Sequence, residues 1–236
     1  MDDDNPDNQP FQTLEHILDA VDPRCGFNVE IKYPLQRHDG SFDGCNASGG
    51  NFADLNDYCD IILRVVMEHA KNREIIFSCF HPDVCTMISL KQTKYPLLFL
   101  TQGMTEKWDK YWDPRTRDVQ GATYFAQAIA ILGVNAHAED ILKDRSLIQF
   151  VKQRDLCLFV WGEDLMSRTV IKQLKDDGLD GVIYDKIDEF HSKEPSFIMG
   201  SSSERKALIN ILTSADSSVQ LGSSWASSNV STNSSP

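Results

Sequence analysis

Residues 27–33, FNVEIKY, alternate strictly between apolar and polar side chains. Side chains two residues apart share one face of a β-strand, so Asn28, Glu30 and Lys32 point in the same direction. A parallel strand that is covered by helices on both faces is apolar throughout, and this one is not. Two interpretations stay open. The segment is either an edge strand with one face in water, or a barrel strand whose polar face points inward near the mouth, where a ligand or metal meets it.

Five further apolar runs alternate along the chain with stretches of helical periodicity. In the first such stretch, Leu55, Cys59, Ile62 and Val66 form one stripe at three- and four-residue spacing. Strands that alternate with single helices predict βαβ units and a parallel sheet. The predicted strands are Phe27–Tyr33, Ile75–Phe80, Leu97–Gln102, Val134–Ala138, Leu156–Trp161 and Gly181–Asp185, and the predicted helices are Leu55–Ala70, Asp83–Thr93, Ala122–Leu132, Asp140–Gln153 and Ser167–Asp177.

Composition divides the chain into three parts. Residues 1–10 carry four Asp and two Pro, and residues 201–236 contain 13 serines. Such segments have too few large apolar groups to offset the entropy that ordering costs. We therefore predict a disordered acidic head at 1–10, a folded domain at 11–195 and a disordered Ser-rich tail at 196–236, in which Glu204–Leu212 alone is helical.

The overall charge narrows the choice of partners. The 236 residues include 23 basic and 35 acidic side chains, which gives a net charge of −12. This argues against a nucleic-acid backbone or an anionic membrane as the main partner, but not against a small anionic substrate. No apolar run approaches the roughly 20 residues of a membrane helix, and the acidic start is not a signal peptide. The six cysteines include no C-x-x-C pair and are interpreted as free thiols, so we expect a cytoplasmic protein.

Two strand ends carry further candidate residues. His137 lies near the end of the fourth predicted strand, on one face with Asn135 and Glu139. A structural histidine and a catalytic one are both consistent with that place. Glu139 and Asp140 are interpreted as the N-terminal cap of the following helix. Trp161 ends the fifth predicted strand, where it either packs under a loop or forms an apolar wall for a ligand.

Five segments, in chain order, carry a resemblance to a known family. Over about residues 11–190 the chain resembles the glycerophosphodiester phosphodiesterase family, and within it the eukaryotic cytosolic glycerophosphocholine phosphodiesterases. The segments are NVEIKYP (28–34), IIFSCFHPDVCTMI (75–88), YPLLFLTQG (95–103), LCLFVWGED (156–164) and DDGLDGVIYDKI (176–187).

The resemblance implies a TIM-barrel-type α/β fold and a metal-dependent hydrolase. The expected substrate is a small glycerophosphodiester such as glycerophosphocholine, cleaved to glycerol 3-phosphate and an alcohol such as choline. By motif, Glu30 matches a ligand of a divalent cation, Mg²⁺ or Ca²⁺; Lys32 matches a catalytic Lys that faces the phosphate; and Trp161 matches a pocket Trp. Carboxylate oxygen suits such hard cations, and an ammonium group stabilises charge on a phosphate. We add His137 as a second candidate substrate-binding residue, and we expect Glu30 and Lys32 to face Trp161 across the barrel mouth.

The chain departs from the family pattern before residue 28. The family's H-R-G turn, E-x-D pair and H-D pair belong there, whereas residues 1–27 hold His16 as their only histidine. We therefore expect an incomplete barrel with about six of the usual eight strands, as in a truncated form that lacks two metal-binding carboxylates and both catalytic histidines. Two hypotheses follow: part of a glycerophosphodiesterase, or a catalytically inactive isoform or pseudoenzyme that acts as an interaction protein.

Overall fold

The computed structural model describes most of the predicted folded domain. The described residues are 11–43, 52–105, 107–165 and 167–184. The head at 1–10, the tail at 196–236 and the helix predicted at Glu204–Leu212 lie outside these ranges, so those expectations stay predictions. Within the described part of the chain, no helix combines the length and the apolar character that crossing a bilayer requires.

In the described residues, six parallel strands pair in sequence order, so each strand lies beside its neighbours along the chain. The sheet curls into a half-barrel covered by helices, which confirms the predicted α/β fold with about six barrel strands. The first strand leaves the sheet at Glu30, earlier than predicted, although the Ile31 amide still donates to the Ser78 carbonyl at 2.8 Å. The strands are β1 (Phe27–Glu30), β2 (Ile75–Cys79), β3 (Leu97–Leu100), β4 (Gly133–His137), β5 (Cys157–Trp161) and β6 (Gly181–Ile183).

Seven helices connect or precede these strands in the described residues. The predicted helix at Asp140–Gln153 is wrong in one respect, because the chain breaks there into two helices. Asp144 lies at the break, and its carboxylate accepts hydrogen bonds from the Ser146 amide at 3.0 Å and the Ser146 hydroxyl at 2.6 Å, a local bonding pattern that competes with helix continuation. The helices are α1 (Leu14–Ala20), α2 (Leu55–His69), α3 (Pro82–Lys91), α4 (Val119–Ala128), α5 (Ala138–Lys143), α6 (Ser146–Lys152) and α7 (Arg168–Asp176).

The two faces of the sheet have different surroundings. Alternate residues of the strands, such as Phe77, Phe99 and Val160, belong to one apolar core with the helices. The intervening residues, such as Leu98 and Leu100, are buried but lie outside that core cluster. The helices therefore cover the outer face, and the inner face of the half-barrel is left to form a separate environment.

The Arg73 side chain links the end of α1 to the start of β1. The side chain is 4% exposed, and its guanidinium donates to the carbonyl oxygens of Leu18 at 3.1 Å, of Val21 and Asp22 at 2.7 Å each, and of Cys25. These carbonyls at and beyond the C-terminus of α1 have no helical donor of their own, and a cation there is favourable. The same guanidinium lies 4.4 Å from the centre of the Phe27 ring, so it holds the first residue of β1 in place.

Candidate active site

A cavity of about 980 Å³ lies on the inner face of the half-barrel. Residues of all six described strands, most of them at or near the carboxyl ends, line it together with residues that follow β1, β2, β3 and β5. This is the end at which TIM barrels carry their active sites. The lining includes Asn28, Glu30, Lys32, Ser78, Phe80, Leu100, Gln102, Asn135, Trp161, Glu163 and Ile183.

The alternation in β1 separates core residues from cavity residues. Phe27, Val29 and Ile31 pack with the helical core, whereas Glu30 and Lys32 line the cavity. The Lys32 ammonium lies 3.8 Å from the Glu30 carboxylate, and the two side chains are 80% and 38% exposed. β1 lies at one edge of the described sheet, and the polar residues Asn28, Glu30 and Lys32 line the cavity. The structure thus places a carboxylate and a nearby ammonium group on the same cavity as Trp161.

Trp161 stands in an aromatic cluster at the end of β5. Its indole N–H donates to the Thr101 carbonyl oxygen at 3.3 Å. Trp108, from the loop after β3, stacks on it with the ring centres 5.5 Å apart and the planes at 25°. Phe80 meets Trp161 edge-on at 5.4 Å. Since Trp108, Phe80 and Trp161 all line the cavity, the cluster offers aromatic surface to a ligand and is packed as well.

His137 lies under this cluster and does not line the cavity. Its side chain is fully buried, and its ring centre is 4.7 Å from that of Trp161 and 4.9 Å from that of Trp108. Burial lowers the pKa of His137, and the nearby Lys107 adds to the effect, which favours the neutral form of the imidazole. The structure therefore gives His137 a place that supports the aromatic cluster, and direct contact with substrate stays a prediction.

The loop after β1 is tied to the loop after β3. Arg37 and Tyr111 pair their backbones in an antiparallel bridge. The Arg37 guanidinium lies 2.6 Å from one oxygen of Asp43, and the Tyr111 hydroxyl donates to the other at 2.8 Å. Desolvation, followed by this bond to Asp43, raises the pKa of Tyr111. These three residues also line the cavity, so they brace one side of its mouth.

The interpretation of Asp140 as a helix cap is wrong. Helix α5 begins at Ala138, which puts Asp140 inside its first turn. Its carboxylate instead accepts from the Met104 amide at 3.0 and 3.1 Å, while Glu139 accepts from the Thr105 hydroxyl at 2.7 Å. Desolvation raises the pKa of Asp140. The two carboxylates clamp the start of the loop that carries Trp108.

The described residues do not complete a divalent-cation site in the cavity. Glu30 is the one sheet carboxylate there. Asp43 is engaged by Arg37 and Tyr111, and the other acidic lining residues, Asp39, Asp109 and Glu163, come from loops. A hard cation takes six or more oxygen ligands, several of them from carboxylates or water. In the described part of the chain, no three acidic, histidine or cysteine side chains of the cavity converge within metal-binding distance of one another.

A cluster of possible ligands exists elsewhere, on α1 and α2. The ligand atoms of Glu15, Asp19 and His69 lie within 4.8 Å of one another. The two carboxylates approach opposite nitrogens of the imidazole, at 3.7 and 3.0 Å, and Lys71 lies 3.4 Å from Asp19. The bond from His69 lowers the pKa of Asp19. None of these residues lines the cavity, so the cluster is an ion-pair network apart from the candidate site.

Sequence reasoning missed several residues that line or brace the cavity. Ser78 could have been recognised in the sequence, since it is a polar residue inside the apolar run IIFSCF. In the sheet it pairs directly with Glu30. Arg37 and Asp43 were not recognisable, because their roles depend on a contact with Tyr111 that lies 68 residues from Asp43. The Asp140 clamp was hidden for the same reason, since its partner Met104 is 36 residues away.

A half-barrel of parallel βα units with polar and aromatic residues at its strand ends defines a protein of the TIM-barrel class. Residues 2–189 match the model of the glycerophosphoryl diester phosphodiesterase family, and the chain belongs to this family. A solved structure from Silicibacter pomeroyi DSS-3, provisionally assigned as a glycerophosphoryl diester phosphodiesterase, has a TM-score of 0.51 at 14% identity. The alignment covers 84% of this chain and 56% of that one, and it supports the fold alone.

Relatives with assigned functions share more sequence. The chain is 41% identical over 199 residues to a glycerophosphocholine phosphodiesterase of Rattus norvegicus, which covers 84% of this chain and 29% of that protein. It is 34% identical over 177 residues to a glycerophosphocholine phosphodiesterase of Eremothecium gossypii, with 75% of this chain and 13% of that protein covered. The chain thus spans less than a third of the length of either relative.

The contact between Asp140 and the start of the loop after β3 can be tested by substitution. Gly103 has φ +76°, and a Cβ there would lie 2.8 Å from the Asp140 carboxyl carbon and closer still to one carboxylate oxygen. We predict that Gly103→Ala lowers the free energy of unfolding by about 1–3 kcal/mol more than backbone strain alone does, and that it weakens the Trp108–Trp161 stacking signal. Urea denaturation and near-ultraviolet circular dichroism measure the two effects.

Gly40→Ala is the matched control. Gly40 has φ +85°, and a Cβ at this position would meet nothing within 4 Å, so this variant carries the backbone strain without the collision. Equal losses in the two variants, with the aromatic signal unchanged in both, would show that Asp140 does not confine the loop.

Proposed function

We propose that this chain forms the substrate-binding part of a phosphodiesterase that cleaves glycerophosphocholine-like diesters to glycerol 3-phosphate and an alcohol such as choline. The observation that supports this most is that Glu30, Lys32 and Trp161, which match three positions of the family pattern, line one cavity. Membership of the family and the relatives' assigned activity on glycerophosphocholine point to the same substrate class.

Each of the three residues suits one part of such a diester. The side chain of Lys32 is 80% exposed and lines the cavity, so its ammonium group can approach a phosphate and offset its charge. The carboxylate of Glu30 has the chemistry of a ligand for Mg²⁺ or Ca²⁺. Because the described residues supply one sheet carboxylate rather than a complete ligand set, the cation's remaining ligands come from elsewhere in our proposal, and no step is derived through it.

Trp161 suits the choline end of the substrate. A quaternary ammonium cannot donate a hydrogen bond, so it is recognised by aromatic faces and carboxylates, each cation–π contact contributing about 0.5–2 kcal/mol. Trp161 stacks with Trp108 in the cavity wall, and the Glu163 carboxylate also lines the cavity. We place the choline group against this aromatic wall. We also propose that the substrate is a small molecule and that the protein is cytoplasmic. At a net charge of −12 we expect no nucleic-acid partner.

A second candidate function, an inactive interaction protein, is favoured by one feature of the sequence. Residues 1–27 hold neither an H-R-G turn nor an E-x-D pair, and His16 is their only histidine. His137 is fully buried, so it is poorly placed to exchange protons with a substrate. We therefore propose that a chain of these 236 residues binds diesters and does not hydrolyse them by itself.

Turnover by the 236-residue chain is the test of that proposal. Losing one general acid–base residue typically costs about 10²–10⁴-fold in rate, and here both family histidines are missing. We expect a choline-release assay on glycerophosphocholine, with Mg²⁺ or Ca²⁺ added, to give the same background rate for the parent chain and for Glu30→Gln. A measurable rate that Glu30→Gln abolishes would show that these residues contain a complete catalytic set.

Trp161→Leu tests the place of the choline group. We expect this variant to bind glycerophosphocholine about tenfold more weakly, or about 1.4 kcal/mol, while its affinity for glycerophosphoglycerol changes little. Isothermal titration calorimetry gives both dissociation constants. Trp112→Leu, which alters a 61% exposed aromatic residue in the loop after β3 that does not line the cavity, is the control and should leave both dissociation constants unchanged. An equal loss of affinity for both ligands in Trp161→Leu would show that Trp161 is a general part of the cavity wall with no preference for the choline group.

A further inference from the structure

His137 lies where the two indole rings of the aromatic cluster come together. Its ring centre is 4.7 Å from that of Trp161, with the planes at 46°, and 4.9 Å from that of Trp108, with the planes at 67°. Gly162 also packs closely on the imidazole, because a Cβ at that glycine would be 3.1 Å from both Cδ2 and Nε2 of His137. The side chain is fully buried, so the two tryptophans and the backbone after β5 confine the ring.

The imidazole of His137 has few means of sharing a positive charge. Among the described residues, neither Nδ1 nor Nε2 has a hydrogen-bond partner. One carboxylate oxygen of Glu139 lies 3.9 Å from Nδ1, which is beyond hydrogen-bond distance. That carboxylate already accepts from the Thr105 hydroxyl at 2.7 Å and from the Lys143 ammonium at 2.6 Å. An imidazolium at this place would therefore have the two indole rings as its direct contacts.

Four charged side chains act on His137 from the elements packed around it. Lys107 in the loop after β3 and Lys143 on α5 disfavour the protonated imidazole, whereas Glu139 on α5 and Asp164 after β5 favour it. Lys107 is itself paired with Asp164 at 3.1 Å. Burial is the largest influence and, with Lys107, lowers the pKa of His137. The imidazole therefore takes up a proton only below the usual histidine value of about 6.5.

A protonated His137 and a bound choline group would make use of the same two rings. A cation within about 6 Å of an aromatic ring centre is attracted by that ring, and His137 lies within this distance of both indoles. A quaternary ammonium on the cavity side of the cluster would make the same kind of contact with Trp161 or with Trp108, which is 40% exposed. Two unit charges about 10 Å apart in a protein site repel each other enough to weaken binding about tenfold.

We propose that His137 is a positioning residue that keeps the Trp108–Trp161 wall selective for cationic alcohol groups only while its imidazole is uncharged. A proton on His137 then competes with the choline group through the shared rings, and a diester of an uncharged alcohol does not feel that competition. This rests on the proposed function, since it assumes that the choline group lies against Trp161. It adds a substrate preference that depends on pH: the choline diester is favoured near neutral pH and loses its advantage in acid.

Calorimetric titrations of the full 236-residue chain with two diesters test the inference. Glycerophosphocholine and glycerophosphoglycerol share the phosphodiester group, and only the first has a cationic alcohol, so the ratio of their dissociation constants removes effects that are common to both. Between about pH 7.5 and about pH 4.5 we expect the parent chain to lose about tenfold in affinity for glycerophosphocholine relative to glycerophosphoglycerol. Near-ultraviolet circular dichroism should show that the fold persists over this range.

Two variants separate His137 from the other groups that titrate in acid. His137→Gln, which keeps a neutral polar side chain of similar size, should hold the ratio within about threefold over the same range. His38→Gln is the matched control, because His38 also lines the cavity but has its ring against Trp112, at 5.5 Å. This variant should show the same change with pH as the parent.

A measurement on the parent chain keeps the inference testable if His137→Gln does not fold. Side-chain NMR spectra of the histidines follow the protonation of His137 directly. Because the coupling between two binding events is reciprocal, saturating glycerophosphocholine should lower the pKa of His137 further, and glycerophosphoglycerol should not.

Four results would overturn the inference. They are an affinity ratio that does not change with pH in the parent, the same change in His137→Gln, a pKa of His137 that glycerophosphocholine leaves unaltered, and loss of the near-ultraviolet signal before the ratio changes. Binding of glycerophosphocholine without dependence on pH would leave the proposed function standing. A parent chain that binds neither diester at neutral pH would contradict the proposed function and the inference together.

Discussion

Helices cover only one face of the curled sheet. The placement of the core residues and of the cavity residues depends on this difference between the two faces. An element that is apolar on one face and polar on the other is stable when just the first is packed against helices. In β1, Phe27 and Val29 join the helical core, while Asn28 and Glu30 turn to the cavity. The same alternation in β2 and β4 places Ser78 and Asn135 on the inner face. The chemistry of the cavity thus follows from the alternation of side chains along the strands.

The loops after β1 and β3 supply the parts of the cavity wall that the sheet does not. The strands hold Glu30 and Trp161 at fixed positions, but the walls of the cavity come from the loops after β1 and β3. These loops are tied by buried or half-buried carboxylates: Asp43 joins Arg37 to Tyr111, and Asp140 holds the amide of Met104. Asp43 accepts from two donors, and Asp140 accepts one N–H that is shared between its two oxygens. Such charge-assisted hydrogen bonds help to order the loops. Trp108 is stacked on Trp161 as a consequence.

The order and type of the strands could be predicted from the sequence, because a buried parallel strand followed by an amphipathic helix has a local signature. The inward direction of Glu30 and Lys32 could not be decided from FNVEIKY alone, since an edge strand has the same alternation. The break at Asp144 and the contact between Asp140 and Met104 were not predicted. In a sequence, an acidic residue near a helix start suggests an N-terminal cap, whether or not a distant backbone amide donates to its carboxylate. The lack of hydrogen-bond partners for the His137 ring among the described residues becomes visible only when the whole cavity is assembled.

Under the proposed function, the inner face of the half-barrel binds the diester. A ¹H–¹⁵N correlation spectrum of the labelled chain, titrated with glycerophosphocholine, tests it most directly. We expect the largest shift changes at the backbone amides of Glu30, Ser78 and Asn135 and at the Trp161 indole N–H. Shift changes confined to the cluster of Glu15 and His69 on the outer helices, or spread over the surface without a focus on the cavity, would contradict it.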